Sequence, residues 1–342
     1  MAKEFNETEV QIINDNSNYK LAKKENEKTW FKLLDPACYV KEEEDGTIKY
    51  KSLKDTIHNF EHERIITIAN SKKKISSFFD LWRIDKTIRL YNKIVFKPSP
   101  LEVNKGEYNI FKGFPIKNGK IVPINEFKEM LYSMCNFDKI SIKYLTAHLA
   151  DLIQNPAIQN KSHGISIIFR GNQGAGKGTL YQILQQILGK YVNTTSDINS
   201  IIKSKDNRFA NGAIDKLAVF LEEINQNDGY SKADQLKDYI TSLELEEEIK
   251  GLQGTIKHKN YARFYIFTNH SVSIKIESSD RRYVIFLTSD KYVGDVSFWD
   301  NIYAKIEDND YIYSIYKYFM SFDVSNFNFK DRPITEAYKR AK

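Results

Sequence analysis

The chain has 342 residues, 41% of them apolar and 28% charged, with 51 basic against 45 acidic side chains and a formal net charge of +6. That length suits one large domain or two smaller ones, and the composition is that of a globular chain able to bury a sizeable core. So mild a basic excess does not mark a nucleic-acid binder by itself, and no apolar run approaches the ~18 residues of a membrane span.

The opening MAKEFNETEVQIINDNSNYK lacks the apolar stretch of a secretion signal, so an intracellular, cytoplasmic location is expected. There Cys38 and Cys135 are expected as reduced thiols. Residues 1–29 are polar, and 30–70 carry short strand-like runs around the acidic turn KEEEDGT at 41–47. The run Lys72-Lys73-Lys74 reads as a solvated face. It precedes FFDLWRIDKTIRLYNKIVF at 78–96, an element that Pro98 and Pro100 end. YNIFKGFPI at 108–116 reads as a packed aromatic loop. From 124 to 155 the pattern is helical, with Leu145, Leu149, Leu152 and Ile153 at helical spacing and Pro156 as the stop.

The pattern then changes. ISIIF at 165–169 has the length of a buried strand, and Leu180, Ile183, Leu184, Ile187 and Leu188 mark one face of a helix that Gly189 ends. Between them lies GNQGAGKGT. A strand, a glycine-rich turn and a helix make an anion cradle, in which backbone N–H groups and the helix N-terminus face phosphate. Gly171, Gly174, Ala175, Gly176, Lys177, Gly178 and Thr179 are the candidate nucleotide-binding residues, with Lys177 the mobile charge for the β- and γ-phosphates. Gly178 stands where the usual pattern has Ser or Thr. Thr179 follows as the alternative hydroxyl toward Mg²⁺, and the GKGT variant is also similar to the loop of adenylate kinases.

Three further apolar runs, LAVFL at 217–221, RFYIF at 263–267 and YVIFL at 283–287, predict buried strands of a mostly parallel sheet with helices on both faces. The first delivers Glu222 and Glu223 at its end. Glu222 is expected on the metal side and Glu223 beside the attacking water, a pairing that a cation between them would relieve. Asn269, at the tip of the second, is placed to hydrogen-bond the water or the γ-phosphate. Arg281 and Arg282 precede the third; an arginine opposite a transferring phosphate stabilises developing charge, often from a neighbouring subunit. GTIKHKN at 254–260 sets Lys257, His258 and Lys259 in a basic loop that can touch phosphates without reading bases.

Taken in order, these segments resemble superfamily 3 helicases, and more closely the helicase domain of viral, phage and plasmid primase-helicases of the poxvirus type. The likeness runs from about 75 to 340: FFDLWRIDKTIRLYNKIVFKP and YNIFKGFPI before the motor, LADLIQNPAIQ and ISIIFRGNQGAGKGTL at the Walker A segment, LAVFLEEIN at Walker B, LKDYITSLELEEEIKGLQGTIKHKNYARFYIFTN up to the sensor Asn269, and DRRYVIFL at the arginine finger. The resemblance implies an α/β P-loop NTPase of AAA+-like type with a smaller, mainly helical N-terminal domain. It divides the chain into 1–74 of unassigned role, a helical collar at 75–155, an ATPase at 156–325 and a charged tail at 326–342.

The resemblance also implies ATP and Mg²⁺ as cofactors, a homo-oligomeric hexameric ring on single-stranded DNA, and a separate primase or polymerase as partner. It places Lys257, His258 and Lys259 on a channel hairpin, with Lys250 as a further nucleotide or DNA contact. Glu222 departs from the more frequent Asp, and residues 1–75 are too short for the group's primase domain. Two other readings stand beside the helicase: a nucleotide or small-molecule kinase, suggested by GKGT, and an ATP-binding replication initiator that assembles without unwinding.

Overall fold

Chain segments that alternate short apolar runs with helical ones sort into two compact units in the computed structural model. The structure describes residues 16–69, 72–99, 101–157, 162, 164–203, 209–223, 231–249, 255–269 and 280–340. One unit gathers 1–97, 102–110 and 248–256; the other gathers 98–101, 111–247 and 257–342. Residues 75–155, expected as one helical domain, are therefore divided between the two.

The first unit is mostly strands and aromatic rings. Its helices are α1 (Asn16–Asn26), α2 (Leu53–Asn59) and α3 (Phe78–Trp82). A four-stranded sheet orders β3 (Ile48–Lys51), β2 (Cys38–Glu42), β1 (Trp30–Leu33) and β6 (Leu90–Tyr91), and the acidic 41–47 stretch turns between β2 and β3. Lys72-Lys73-Lys74 begins β5 (Lys72–Ser77), paired antiparallel with β4 (Arg64–Ala69). Helix α2 starts at a capping box in which Ser52 and Asp55 satisfy each other's backbone N–H groups.

Trp30, Phe60, Phe78, Phe79 and Trp82 form the core of this unit. The single element expected over 78–96 breaks after α3. Asp85 accepts from the Thr87 N–H and from Lys23, which folds the chain into a turn before β6 and β7 (Lys93–Val95); β7 then pairs with β8 (Glu107–Asn109).

The second unit is a five-stranded parallel sheet flanked by helices. Its strands are β9 (Ser166–Arg170), β10 (Val192–Thr195), β11 (Ala218–Glu222), β14 (Arg263–Thr268) and β15 (Tyr283–Leu287), in the order β10-β11-β14-β9-β15. The four inner and late strands coincide with the apolar runs of the sequence. β10 is the strand that periodicity misses: VNTT is an edge segment in which only Val192 is buried. In register, Ile266 of β14 lies between Ile168 of β9 and Leu221 of β11. β12 (Glu244–Glu248) and β13 (Thr255–Lys259) form a separate two-stranded sheet that precedes β14 in the chain.

Among the described residues, helices α4 (Asn125–Ser133), α5 (Lys139–Gln154), α6 (Lys177–Leu188), α7 (Ala233–Thr241), α8 (Val296–Ile306), α9 (Asn309–Ser321) and α10 (Glu336–Arg340) belong to this unit. The five apolar side chains expected on α6 are all fully buried.

One buried ion pair ties α5 to the foot of β14. The Arg263 guanidinium lies 3.5 Å from Asp151, and both side chains are fully buried. Ser162 Oγ accepts from Arg263 Nε at 3.1 Å and donates to Asp151 at 2.6 Å, while the carbonyls of Asn155, Pro156 and Tyr261 take the remaining guanidinium donors. Such saturation is what makes a buried pair tolerable, and removing one partner typically costs ~3–5 kcal/mol. Burial and the nearby Arg263 push the His148 imidazole down to about 4, so it packs neutral beside Tyr265.

Candidate functional site

Because the sheet is parallel, the ends of β9, β11 and β14 open on one side, where open α/β sheets hold their ligands. Three stretches meet there: the glycine turn after β9, the acidic pair closing β11, and Asn269 after β14.

The turn is shaped by its glycines. Gly174 and Gly176 have φ of +84° and +90°, a region that L side chains rarely enter. A Cβ at Gly176 would lie 2.6 Å from the Trp299 ring, and one at Gly171 would lie 1.8 Å from Thr288 Oγ1. Gly178 differs, since a Cβ there meets nothing within 4 Å. Ala175 is buried beneath the turn. Gly176 is the N-cap of α6 and makes no side-chain cap bond, so the first N–H groups of the helix are left for a ligand.

Lys177 opens α6, and its ammonium is drawn back over the turn. Nζ donates to the carbonyls of Gly171 at 2.5 Å and Asn172 at 3.3 Å, and to Asn269 Oδ1 at 2.5 Å. The amide of Asn269 donates in turn to Glu223 Oε1 at 2.7 Å. Burial lowers the Lys177 pKa, against the pull of the Glu223 charge. Lysine from the start of α6, glutamate from the end of β11 and asparagine from the end of β14 thus form one hydrogen-bonded chain.

Glu223 is held in a conformation that few residues adopt, with φ of +47°, while its N–H donates to Phe267 O at 2.9 Å. Left-handed backbone at a non-glycine residue costs ~1–2 kcal/mol, and such strain gathers at functional sites. Here it turns the carboxylate out of the strand toward Asn269. Glu222 points the other way, and its Oε1 accepts from Thr194 Oγ1 at 2.9 Å. That contact comes from the edge strand β10, so Thr194 is a site residue with no signal in the sequence.

Gly174, Gly176, Lys177, Glu222, Glu223 and Asn269 line one cavity of about 610 Å³, within the usual ~300–1,000 Å³ range for small-molecule sites. Its other wall is α8, which contributes Val296, Trp299, Asp300 and Tyr303. Nothing in the sequence reading singled these out; the available signal was the aromatic pair in SFWDNIY, four residues apart on a helix. Thr179 is buried, and its hydroxyl lies 3.2 Å from that of Tyr303.

The donor set suits a Mg²⁺ ion that arrives with a triphosphate. Among the described residues no group of three or more His, Cys, Asp or Glu could cage a metal, and Mg²⁺ at such sites is held mainly by phosphates and water with one or two protein oxygens. Glu222 and Thr179, the pair expected to hold it, both line the cavity, as do the carboxylates Glu223 and Asp300.

The other expected contacts lie elsewhere. Arg281 is exposed and Arg282 half-buried at the start of β15, the opposite end of the sheet from the glycine turn. Asp280 accepts from the Arg282 N–H at 2.9 Å and lies 3.8 Å from its guanidinium. The basic triplet of β13 is split by strand alternation. Lys257 and Lys259 face solvent, 3.9 Å from Glu246 and 2.6 Å from Glu244.

His258 points inward, contrary to its expected place on a nucleic-acid-facing loop, because alternate residues of a strand face opposite sides. Its ring lies 3.0 Å from Glu247 and 3.5 Å from Asp215. Burial opposes its charge, but hydrogen bonds and the field of these two carboxylates win and lift its pKa to about 9. Lys250 lies outside the described residues. No described helix is long and apolar enough to cross a membrane, and both cysteines are free and buried.

Residues 169–282 match a protein family described as a family of unknown function (DUF5906). Over 234 residues the chain is 27% identical to a DNA primase-polymerase of Nitratiruptor phage NrS-1, an alignment covering 65% of this chain and 31% of the phage protein. The chain therefore spans less than a third of that relative's length. Two structures of the NrS-1 C-terminal region superpose with TM-scores of 0.69 and 0.67, each at 21% identity, covering 91% of this chain and 70% of theirs. The chain is thus related in sequence to a phage primase-polymerase and shares the fold of the NrS-1 C-terminal region.

Proposed function

We propose that residues 156–325 form a P-loop ATPase of AAA+-like type, the motor of a superfamily 3 helicase that works on single-stranded DNA during replication. The observation that carries this reading is the bridge made by Asn269, which holds the ammonium of Lys177 and the carboxylate of Glu223 at once. A phosphate seated on the α6 N-terminus would lie against Lys177, and Glu223 would be within reach of a water on its far side.

In this account the turn and Lys177 bind and orient the β- and γ-phosphates. Glu222 and Thr179 would hold the Mg²⁺ that arrives with the nucleotide, which when bound would neutralise charge developing on the phosphate oxygens. Glu223 accepts the proton of the attacking water, and Asn269 fixes the carboxylate's direction. Arg281, exposed and at the far end of the sheet, suits a role in the site of the next protomer of a head-to-tail ring. Arg282, engaged by Asp280, serves to position it. Loss of the γ-phosphate would release Asn269, and β14 leads directly from Asn269 back to the hairpin that carries Lys257 and Lys259. The sequence relationship to a phage primase-polymerase supports the replication setting.

Phosphate release from Mg-ATP, with and without single-stranded DNA, tests the reading. Glu223→Gln should lower kcat by ~10²–10⁴-fold, the usual contribution of a general base, and Lys177→Ala should abolish turnover. Replacing Lys257 and Lys259 together by Ala should weaken DNA binding and flatten its dependence on log salt by ~0.7 per lost phosphate contact. Phosphoryl transfer to a nucleoside monophosphate would favour the kinase reading. ATP-driven assembly without turnover would favour the initiator.

A further inference from the structure

The cavity has two chemically different ends. The glycine turn, Lys177, the two glutamates and Asn269 make one of them polar. The other, formed by α8, is mainly aromatic and apolar, with one carboxylate, Asp300, among its lining residues: Val296 is 69% exposed, Tyr303 is 46% exposed, and Trp299 is half-buried. We propose that this end is a nucleobase subsite, in which Trp299 and Tyr303 take the face of a purine whose phosphates lie on the turn. The proposal rests on the nucleotide reading given above and adds to it the part of the ligand that the phosphate turn cannot recognise.

Three observations support the assignment. First, the two rings are pre-set. Residues four apart on a helix share a face, ~6 Å along the axis, and the ring centroids of Trp299 and Tyr303 are 6.4 Å apart at 36°. Trp299 Nε1 donates to Tyr292 O at 2.7 Å, and Phe298 meets the indole edge-on, so its plane is fixed without a ligand.

Second, both rings abut the phosphate turn itself. Trp299 lies where a Cβ on Gly176 would fall, and the Tyr303 hydroxyl lies 3.2 Å from Thr179. A base joined through ribose to the α-phosphate has that short a span to cover. Third, Val296 and Tyr303 are exposed and Trp299 is only half-buried although all three are large and apolar, and a flat heteroaromatic ring is the ligand part that would cover them. Stacking is tolerant of base identity, since every base has a π-face, so purine size rather than hydrogen-bond pattern sets the preference.

Trp299 is also a reporter. The other tryptophans, Trp30 and Trp82, are buried in the first unit, which leaves Trp299 as the tryptophan beside the site. The test titrates the full chain, in Mg²⁺, with ATP and with inorganic tripolyphosphate, by calorimetry and by tryptophan emission. ATP should bind at least ~10-fold tighter than tripolyphosphate and should alone quench the emission strongly.

Trp299→Ala should bring ATP affinity down toward that of tripolyphosphate while leaving tripolyphosphate affinity unchanged, and Trp299→Phe should restore most of the difference. Tyr303→Ala, at a more exposed position, covers the case in which the Trp299 variant fails to fold, and it should lower ATP affinity in the same selective way. Equal affinity of the two ligands for the parent chain overturns the subsite while leaving the phosphate turn standing. So does unchanged emission at ATP saturation. Binding of neither ligand overturns both.

Discussion

Neighbouring glycines of the turn carry opposite expectations. Gly176 combines φ of +90° with the Trp299 ring against its missing side chain, so Gly176→Ala should cost ~1–2 kcal/mol in backbone conformation before the clash is counted, and should remove ATP binding. Gly178 lies inside α6 with open space where its Cβ would stand. Gly178→Ser should raise the thermal midpoint slightly, since serine tolerates helix better than glycine by a few tenths of a kcal/mol, and should keep turnover. Thermal melts and ATP titrations of the two variants check this pair. At this scale the sequence was informative where chemistry is tied to a strand end. Glu222, Glu223 and Asn269 sit one or two residues past apolar runs, Lys177 follows its run across the glycine turn, and the fold brings all four to one cavity. Thr194, Trp299 and Tyr303 were not legible, because a polar edge strand and a distant helix join the site only through tertiary packing.

Among the elements, the β12–β13 strand pair has its own pH dependence. His258 is buried against Glu247 and Asp215 with its pKa raised from 6.5 to about 9. A group whose folded pKa is raised stabilises fully below its unfolded value. That stability is therefore present at pH 6.5 and below, falls as pH rises toward 9, and is gone above it. Denaturant unfolding of the parent at pH 6.5 and 9.5 should show a loss on the order of 1–3 kcal/mol that His258→Gln lacks. Equal pH responses in the two proteins would remove His258 as the anchor. Alternation along β13 divides Lys-His-Lys between two faces: a loop has no fixed faces, but a strand sends its middle residue to the other side. The buried runs of β9, β11, β14 and β15 were legible because a parallel sheet covered on both faces needs continuous apolar residues.

For the whole molecule, the account requires that a site be completed by the next copy of the chain. Glu223→Gln and Arg281→Ala should each turn over at least ~10²-fold more slowly alone. Mixed in equal amounts, they should recover up to about a quarter of the parent rate, because a head-to-tail assembly then contains interfaces with both groups intact. No recovery would place Arg281 outside the reaction. The division of the chain into two units was only partly legible, since 248–256 groups with residues more than a hundred positions earlier and no linker composition marks the boundary. The central claim is that the cavity below α8 cleaves a triphosphate with water. Phosphate released from Mg-ATP in heavy-oxygen water, by the full chain with single-stranded DNA, measures it most directly. The account predicts label in the released phosphate and its loss in Lys177→Ala and Glu223→Gln. Absence of release, or transfer of the phosphoryl group to an organic hydroxyl without label, would contradict it.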